Sequence, residues 1–422
     1  MISFLLGSGF SYDEGIPSVG IINNRLVNTK AGDIYLGSDQ SACFLKKGEK
    51  DPNAWFPDNV RDRNFFEKFI EFYVNKVAKG SNSFNYEDFV DYFNLPYVTN
   101  GELSDDLKNY LNEFRHHYTL KDDVFNDNTN LLFRFNNIFT QLVAELLVVP
   151  KYNEDISSFG HITYNTFVNF LGDCLDQNHV VNVHTLNHDL FFEFLGRKQS
   201  RLTSYFTDGY SEIGSPYYAD LSTKINGIEK SFKVRVPRFT NVYEGNLRLY
   251  KLHGSIDTYS FNIGSHLNDP TRIKMPYGAD SVVKEIVKGE NGYRYVSGLQ
   301  GGFPDFLSGT TYKQLFYSDN YYKQLHTSFC ANLKSSHILF VIGYGFSDKG
   351  INKMLEENYL LDGKMLILID PNPKEDLIQN GSYNIRVVRN KINSLNFIQW
   401  KELFRTGAHT QTPSISKNDN LF

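Results

Sequence analysis

The stretch HILFVIGYGFSDKGINKMLEENYLLDGKMLILIDPNP, residues 337–373, decides the fold. An apolar run over His337–Ile342 predicts a buried strand, and a glycine turn follows it. Helical spacing over Gly350–Asn358 and a second apolar run over Lys364–Ile369 complete the pattern. A strand, a turn, a helix and a strand in this order form a βαβ unit, which predicts a parallel sheet.

Further elements of the same kind lie upstream. Ile2–Leu6 and Val180–Val183 are short apolar runs that predict two more buried strands. Strands are also predicted at Phe232–Val236 and Leu247–Leu252, as a possible hairpin, and a helix over Asn320–Lys334. Between the first two strands, helical spacing recurs over Phe65–Val77, Tyr86–Phe93, Leu131–Val148 and Tyr164–Leu175.

The composition is that of a globular protein with a real core. Of 422 residues, 41% are hydrophobic and 22% are charged, which is ordinary for a folded chain. The net charge is −5 and there is no long basic run, so we expect no direct nucleic-acid binding. The apolar runs are too short to span a bilayer and no signal peptide is visible, so we expect a cytoplasmic protein.

The cysteines exclude two common kinds of stabilisation. Cys43, Cys174 and Cys330 are far apart and form no CxxC pair. This spacing supports neither a disulfide framework nor a cysteine-ligated zinc site. We therefore expect reduced structural thiols and no zinc.

Two glycine turns have the composition of phosphate-binding loops. The first is Gly7-Ser8-Gly9-Phe10-Ser11, and the second is Gly343-Tyr344-Gly345. Backbone N–H groups in such turns can approach a pyrophosphate, and the next helix adds its positive end. The first turn lacks the GxGxxG spacing, and an ordinary βα turn is the alternative for both.

Polar residues follow three other predicted strands. Asn187 can bind ribose hydroxyls or an attacking water, and Asp189 can accept from the substrate amide or a ribose hydroxyl, or hold the loop. Capping of the next helix is the better interpretation of that motif alone. His253 stands before a glycine and can act as a general base, with a structural histidine as the alternative. Asp370 can accept from a ribose hydroxyl or belong to a simple turn.

The order of these motifs is more specific than any one of them. The succession GSGFSxxxGIP, TLNHD, KLHG and GYGFSD, followed by a strand that ends before Asp370, resembles the sirtuin (silent-information-regulator type) family. The corresponding family elements are a GAGxSxxxGIP loop, a T-x-N-x-D segment, a catalytic His followed by Gly, and a late glycine turn on NAD. The matches span residues 5 to about 372.

The resemblance implies a Rossmann-like sheet with NAD bound in a cleft. It implies catalytic roles for Asn187, Asp189 and His253. The residues that it implies contact NAD are Gly7, Ser8, Gly9, Ser11, Gly15, Ile16, Pro17, Thr185, Gly343, Gly345, Ser347, Asp348 and Asp370.

The predicted fold is therefore α/β, with a Rossmann-like parallel sheet of sirtuin type, a large helical insertion and a smaller β-rich segment. The core is expected to be discontinuous, over residues 1–29 and 179–405, with the β-rich insertion at about 205–300. Residues 30–178 form the predicted helical subdomain. Residues 406–422 are polar and without periodicity, which predicts a disordered tail.

Departures from the family narrow the predicted activity. Protein-deacylating sirtuins carry two CxxC pairs for zinc and an Asp-Phe-Arg-like run after Gly-Ile-Pro; this chain has neither. Residues 343–348 and 252–257 are similar in sequence to the corresponding segments of sirtuin-like NAD hydrolases of prokaryotic antiphage defence. Some of those are paired with a HerA-type ATPase or another defence sensor protein. The resemblance therefore implies an effector controlled by such a partner or by homo-oligomerisation.

We predict an NAD glycohydrolase that releases nicotinamide and ADP-ribose. The alternative is a non-catalytic NAD or ADP-ribose sensor, which would not need a base such as His253. A third possibility is an NAD-dependent protein deacylase, which the missing cysteine pairs disfavour.

Overall fold

The computed structural model describes residues 1–37, 41–53, 55–98, 102–118, 128–148, 164–225, 228–262, 270–276, 283–289, 292–300, 303–373 and 383–409. The chain divides into two compact units. Unit 1 comprises Met1–Ile16, Val149–Gln300 and Tyr317–Phe422, and unit 2 comprises Pro17–Val148 and Gly301–Phe316.

In chain order the strands are β1 (Ile2–Leu6), β2 (Ile34–Leu36), β3 (Ala42–Phe44), β4 (Val181–Thr185), β5 (Phe206–Thr207), β6 (Tyr210–Ser211), β7 (Tyr217–Ile225), β8 (Ile228–Arg235), β9 (Arg238–Phe239), β10 (Leu247–Lys251), β11 (Thr258–Asn262), β12 (Thr271–Lys274), β13 (Lys284–Gly289), β14 (Gly292–Ser297), β15 (Leu299–Gln300), β16 (Ile338–Ile342), β17 (Met365–Ile369) and β18 (Ile385–Val388).

The α-helices are α1 (Val19–Asn28), α2 (Pro57–Lys76), α3 (Tyr86–Val98), α4 (Asp105–Tyr118), α5 (Asn128–Leu147), α6 (Asn165–Asp176), α7 (Phe191–Lys198), α8 (Tyr312–Leu315), α9 (Asn320–Ser335), α10 (Lys349–Leu355) and α11 (Phe397–His409).

Unit 1 is built on a parallel sheet. Among the described residues it has seven strands in the order β18-β17-β16-β1-β4-β10-β5, and every pairing is parallel. The strands β1, β4, β16 and β17 are buried along their whole length. Continuous apolar runs such as Ile338–Ile342 are typical of strands that are covered on both faces. The predicted α/β class and parallel sheet are confirmed.

Helices cover both faces of this sheet. Phe4 and Phe340 lie on one face, where Phe4 contacts Phe167 of α6 and Phe340 contacts Trp400 of α11, at 5.7 Å between ring centroids in each pair. His184 is paired with Leu5 and so points to the other face, where its ring lies 4.8 Å from that of a phenylalanine in α9. The sheet is therefore wound on both sides.

Antiparallel sheets make up the β-rich part of unit 1. One has the order β15-β11-β12-β9-β6, and the other has the order β14-β13-β7-β8. The first packs on a small core that includes Tyr259, Phe261 and Ile273. Both lie within the segment that the sequence marks as β-rich.

Unit 2 is mainly helical and has an aromatic core. Phe65, Phe69, Phe89 and Phe135 are buried together, with Phe69 and Phe135 5.0 Å apart in an edge-to-face pair. Helix α1 packs on α2 and α3, and α8 packs on α3. Unit 2 therefore includes two helices, α1 and α8, that lie in the residue ranges predicted for the core.

Two predictions from the sequence are wrong in detail. The strands near Phe232 and Leu247 do not form a hairpin, because β8 pairs with β7 whereas the more buried β10 joins the parallel sheet between β4 and β5. The predicted tail also begins too early, because α11 continues to His409. The rest of that segment, residues 410–422, lies outside the described residues.

Trp400 tests the packing on one face of the sheet. Its side chain is 0% exposed and lies between Phe170 and Phe340. We expect Trp400→Ala to lower the free energy of unfolding by about 3–5 kcal/mol because it leaves a cavity. Ile398→Ala, on the same helix but 68% exposed, should change it by less than about 0.5 kcal/mol. Denaturant titration measures both, and equal losses would contradict this packing.

Candidate active site

The sequence motifs meet at one edge of the parallel sheet. Leu6 at the end of β1 is in register with Thr185 and with Ile342 at the ends of β4 and β16. Thr185 is in register with Lys251, and Ile342 with Ile369. All five motifs therefore lie at the carboxyl ends of five neighbouring strands.

This edge contains the topological switch point of the sheet. From β1 the sheet continues through β4 and β10 on one side, and through β16 and β17 on the other. In open parallel sheets, ligands bind in the crevice outside the carboxyl ends of the strands at such a point. The two glycine turns follow β1 and β16, the strands that flank it.

The glycine turns are in backbone contact with each other. The N–H of Gly9 donates to the carbonyl oxygen of Gly343 over 3.0 Å. A Cβ on Gly7 would lie 2.6 Å from that oxygen, and a Cβ on Gly343, whose φ is +61°, would lie 2.5 Å from Gly9. These glycines are therefore required for the two turns to pack together. A Cβ on Gly345 would meet no atom within 4 Å.

Neither turn leads into a helix whose amino terminus is available to a phosphate. Two three-residue 3-10 turns, Ser8–Phe10 and Tyr12–Glu14, follow β1. After β16, the side chain of Asp348 accepts from the N–H groups of Gly350 and Ile351 and so caps α10. The sequence suggests that the positive end of a helix helps to bind a phosphate at each turn. After β1 the chain forms 3-10 turns instead, and after β16 the helix start is already capped by Asp348. N–H groups for a phosphate would therefore have to come from the turns themselves.

Asn187 is anchored by its amide nitrogen. Nδ2 donates to the carbonyl oxygen of Gly7 over 2.9 Å and to Ser11 Oγ over 3.3 Å, and the Asn187 N–H donates to Thr185 Oγ1. The side chain is partly exposed. Its Oδ1 receives no hydrogen bond from the described residues. This orientation leaves an acceptor for a water or a hydroxyl.

Asp189 links two of the motifs. Its Oδ2 accepts from Ser11 Oγ over 2.9 Å, and its Oδ1 accepts from the N–H of Phe191 at the start of α7. The second bond reaches the first N–H of α7 from the residue before its N-cap, Leu190, so Asp189 is not the N-cap that the sequence offers as an alternative. Both carboxylate oxygens are engaged and the residue is buried, and its catalytic role stays a prediction.

His253 is buried beside a tyrosine and a carboxylate. Its Nε2 lies 3.3 Å from Tyr317 Oη and 3.3 Å from Asp348 Oδ2. The Tyr317 hydroxyl also donates to Asp348 Oδ2 over 3.3 Å. The ring of His188, the residue after Asn187, lies 6.3 Å from that of His253. The segments that follow β4 and β10 therefore approach each other at these two histidine rings.

A buried ion cluster lies beneath the His253 loop. Lys251 pairs with Glu193 at 3.3 Å and donates to the backbone carbonyl of Asp189. Lys274 pairs with Asp208 at 2.9 Å and with Asp257 at 3.5 Å. Burial alone would lower the pKa of Lys274, but the surrounding carboxylates hold that pKa above its usual value. The cluster fixes both ends of the loop, since Lys251 precedes His253 and Asp257 follows it.

The remaining residues predicted to contact NAD have varied surroundings. Ser8, Gly15 and Ser347 are exposed, whereas Ile16 is buried. Asp370 accepts from the N–H of Asn372 and stands two strands from β1. Pro17 is the first residue of unit 2. Their predicted contacts with NAD stay predictions.

Two residues at the site escaped the sequence analysis. Tyr317 contacts both His253 and Asp348 but lies between α8 and α9, away from any motif. His326 of α9 lies edge-on to Tyr317, with ring centroids 4.0 Å apart. No sequence pattern near Tyr317 or His326 predicts that either residue belongs to the site, because only the fold brings α9 beside the strand end at Lys251.

This arrangement defines a doubly wound α/β protein with its site at the switch point of the sheet. Residues 181–388, from the first residue of β4 to the last of β18, match the family model of the SIR2-like domain. The chain therefore contains a SIR2-like domain, and this domain suggests an NAD-related activity in the broad sense. A search of the curated proteins found no match.

Two other features are absent from the described residues. Within the described residues, no group of three or more His, Cys, Asp or Glu side chains is arranged to hold a metal ion. No helix in the part of the chain that is described has the length and apolarity needed to cross a membrane.

The two glycines of the second turn can be separated by substitution. Gly343→Ala should lower the free energy of unfolding by about 2 kcal/mol or more, because its φ is positive and its Cβ would meet the first turn. Gly345→Ala should change it by less than about 0.5 kcal/mol. Thermal and denaturant unfolding measure this, and equal stability of the two variants would contradict the turn packing.

Proposed function

We propose that the chain is an NAD glycohydrolase that cleaves the bond between nicotinamide and ribose. A water oxygen attacks the ribose C1′ while the C1′–N bond breaks, and nicotinamide leaves as a neutral molecule with the bonding electrons. The water gives up one proton, and the products are nicotinamide and ADP-ribose. The transition state has oxocarbenium character, as in glycoside hydrolysis, but its neutral leaving group removes the need for a general acid.

The observation that supports the proposal is that Asn187 and His253 follow the adjacent strands β4 and β10, in segments whose histidine rings, His188 and His253, lie 6.3 Å apart. Asn187 is held so that Oδ1 can orient a water or a ribose hydroxyl. His253, at the end of the neighbouring β10, accepts the proton. A site that only binds a nucleotide needs no buried imidazole at this place.

The glycine turns supply the second part of the proposed site. Their contact keeps the crevice walls close together at β1 and β16, and Gly345 leaves its immediate surroundings open. In the proposed complex the pyrophosphate lies along these turns, and Asp370 binds the adenosine ribose farther along the edge. NAD is then the substrate, and no zinc takes part.

We further propose a biological role as the NAD-depleting effector of an antiphage defence system in the cytoplasm. This rests on the resemblance of residues 252–257 and 343–348 to NAD hydrolases of that kind. Because loss of NAD is toxic, the activity would be controlled by homo-oligomerisation or by a HerA-type ATPase or another sensor protein. Cellular NAD after phage infection, with wild type and with Asn187→Ala, measures this role.

Two substitutions test the mechanism. We expect Asn187→Ala and His253→Ala each to lower nicotinamide release by about 100-fold or more, because positioning and general-base catalysis each contribute on this scale. His337→Ala is the matched control, since His337 is exposed before the amino-terminal end of β16. Chromatography of NAD after incubation measures the products, with melting temperatures to confirm folding. Wild-type turnover by both site variants would exclude the mechanism.

The same assay separates the alternatives. A deacylase would consume NAD only with an acetylated peptide and would form an acetylated ADP-ribose, whereas the glycohydrolase needs no peptide. A sensor would return NAD intact after binding it. The proposed hydrolase yields nicotinamide and ADP-ribose in equal amounts, from the chain alone or with its partner.

A further inference from the structure

The imidazole of His253 is held by groups that lie far from it in the sequence. His253 and Asp348 are both 4% exposed, and Nε2 faces Asp348 Oδ2 and Tyr317 Oη at 3.3 Å each. A buried imidazole beside a buried carboxylate donates a ring N–H to it, and that bond selects the tautomer. An N–H at Nε2 would suit both neighbours, Asp348 Oδ2 and the Tyr317 hydroxyl, whose own hydrogen goes to Asp348. Nδ1 would then be the basic nitrogen of the neutral ring.

The carboxylate of Asp348 is held in place by hydrogen bonds that do not involve His253. Its Oδ1 accepts from the N–H groups of Gly350 and Ile351, which leaves Oδ2 directed at the imidazole. The loop before α10 is braced by Asn352, whose Nδ2 donates to the carbonyl oxygen of Phe346 over 3.0 Å. A carboxylate bonded in this way cannot turn away without uncapping the helix.

Tyr317 completes the arrangement from another direction. Its hydroxyl donates to Asp348 Oδ2 over 3.3 Å. Its ring fits against α10 only because residue 350 is glycine, since a Cβ there would lie 2.8 Å from Tyr317 Cε2. On its other side Tyr317 meets His326, and burial lowers the pKa of His326 to about 3. The neighbouring ring is therefore uncharged near neutral pH.

We propose that Asp348 is a positioning residue for His253, rather than a contact of NAD. Asp348 accepts the Nε2–H bond, fixes the tautomer, and stabilises the imidazolium that forms when His253 takes the proton of the attacking water. His253 holds the proton during the reaction and then releases it to solvent, while Asp348 remains ionised throughout. Tyr317 holds the accepting oxygen in place. This inference rests on the proposed function, because it assigns His253 the role of base.

The charged and titratable groups around His253 define the pH dependence. Asp348 and Tyr317 face Nε2, and the ring of His188 lies 6.3 Å away. His326 lies behind Tyr317. On the segment of His253 itself, Lys251 and Asp257 are held by the ion cluster beneath. Asp348 is thus a carboxylate in direct contact with the imidazole.

Asp348→Asn is the decisive substitution. Asparagine keeps an oxygen that can cap α10, so the melting temperature should be unchanged. We expect kcat for nicotinamide release to fall about 100-fold with KM unchanged within a few-fold. The acidic limb of the pH profile should move to lower pH, because the imidazolium loses its negative neighbour and His253 stays neutral to a lower pH.

Tyr317→Phe and Asp319→Asn are the controls. Tyr317→Phe removes only the hydroxyl, so kcat should fall by a few-fold while the acidic limb stays near its wild-type position. Asp319 caps α9 by accepting from Tyr321, so Asp319→Asn makes the same chemical change at another helix start and should leave the pH profile unaltered. An equal shift of the profile in Asp319→Asn would overturn the inference.

A readout without turnover separates this inference from the proposed function. In the full chain labelled with ¹⁵N-histidine, the His253 resonances, assigned by their loss in His253→Gln, should report the Nε2–H tautomer. Asp348→Asn should abolish that preference and shift the titration to lower pH. If NAD is not cleaved but the tautomer depends on Asp348, the proposed glycohydrolase function is wrong, whereas the positioning of His253 by Asp348 is confirmed. Wild-type kcat and wild-type titration in Asp348→Asn would overturn it.

Discussion

Backbone contact between two glycine turns is the constraint on which the site depends. Gly9 donates to Gly343 across the switch point, and neither partner has room for a side chain. Because β1 and β16 end in register at Leu6 and Ile342, the turns leave the sheet side by side. One end of the chain thus meets residues more than 330 positions away.

The rest of the site is supported by bonds between motifs rather than within them. Ser11 of the first turn donates to Asp189, Asn187 donates back to the first turn, and Lys251 donates to the carbonyl oxygen of Asp189. Lys274 and its carboxylate partners Asp208 and Asp257 are buried and oppositely charged. Removing one partner would leave an uncompensated buried charge. The loops that carry Asn187 and His253 are therefore held by the fold before any ligand binds.

The sequence predicts the parallel sheet because apolar runs such as Ile338–Ile342 are local signals. It also places Asn187 and His253 after predicted strands, but it assigns the strand before His253 to a possible hairpin instead of to the parallel sheet. It does not predict the contacts that Tyr317 and Asp348 make with His253, because these contacts join segments that are 64 or more residues apart. The capping bonds of Asp348 use an oxygen that a motif alone would assign to a ligand. Contacts of this kind depend on tertiary structure, which periodicity does not report.

A structure of the His253→Ala variant with NAD tests the central claim most directly, because the variant should bind the substrate without cleaving it. The account predicts that the nicotinamide ribose lies at the switch point, with a water between Asn187 Oδ1 and the space left by the imidazole, about 3–3.5 Å from C1′. A nicotinamide ribose bound away from these two positions, or Asn187 and residue 253 facing separate cavities, would contradict it.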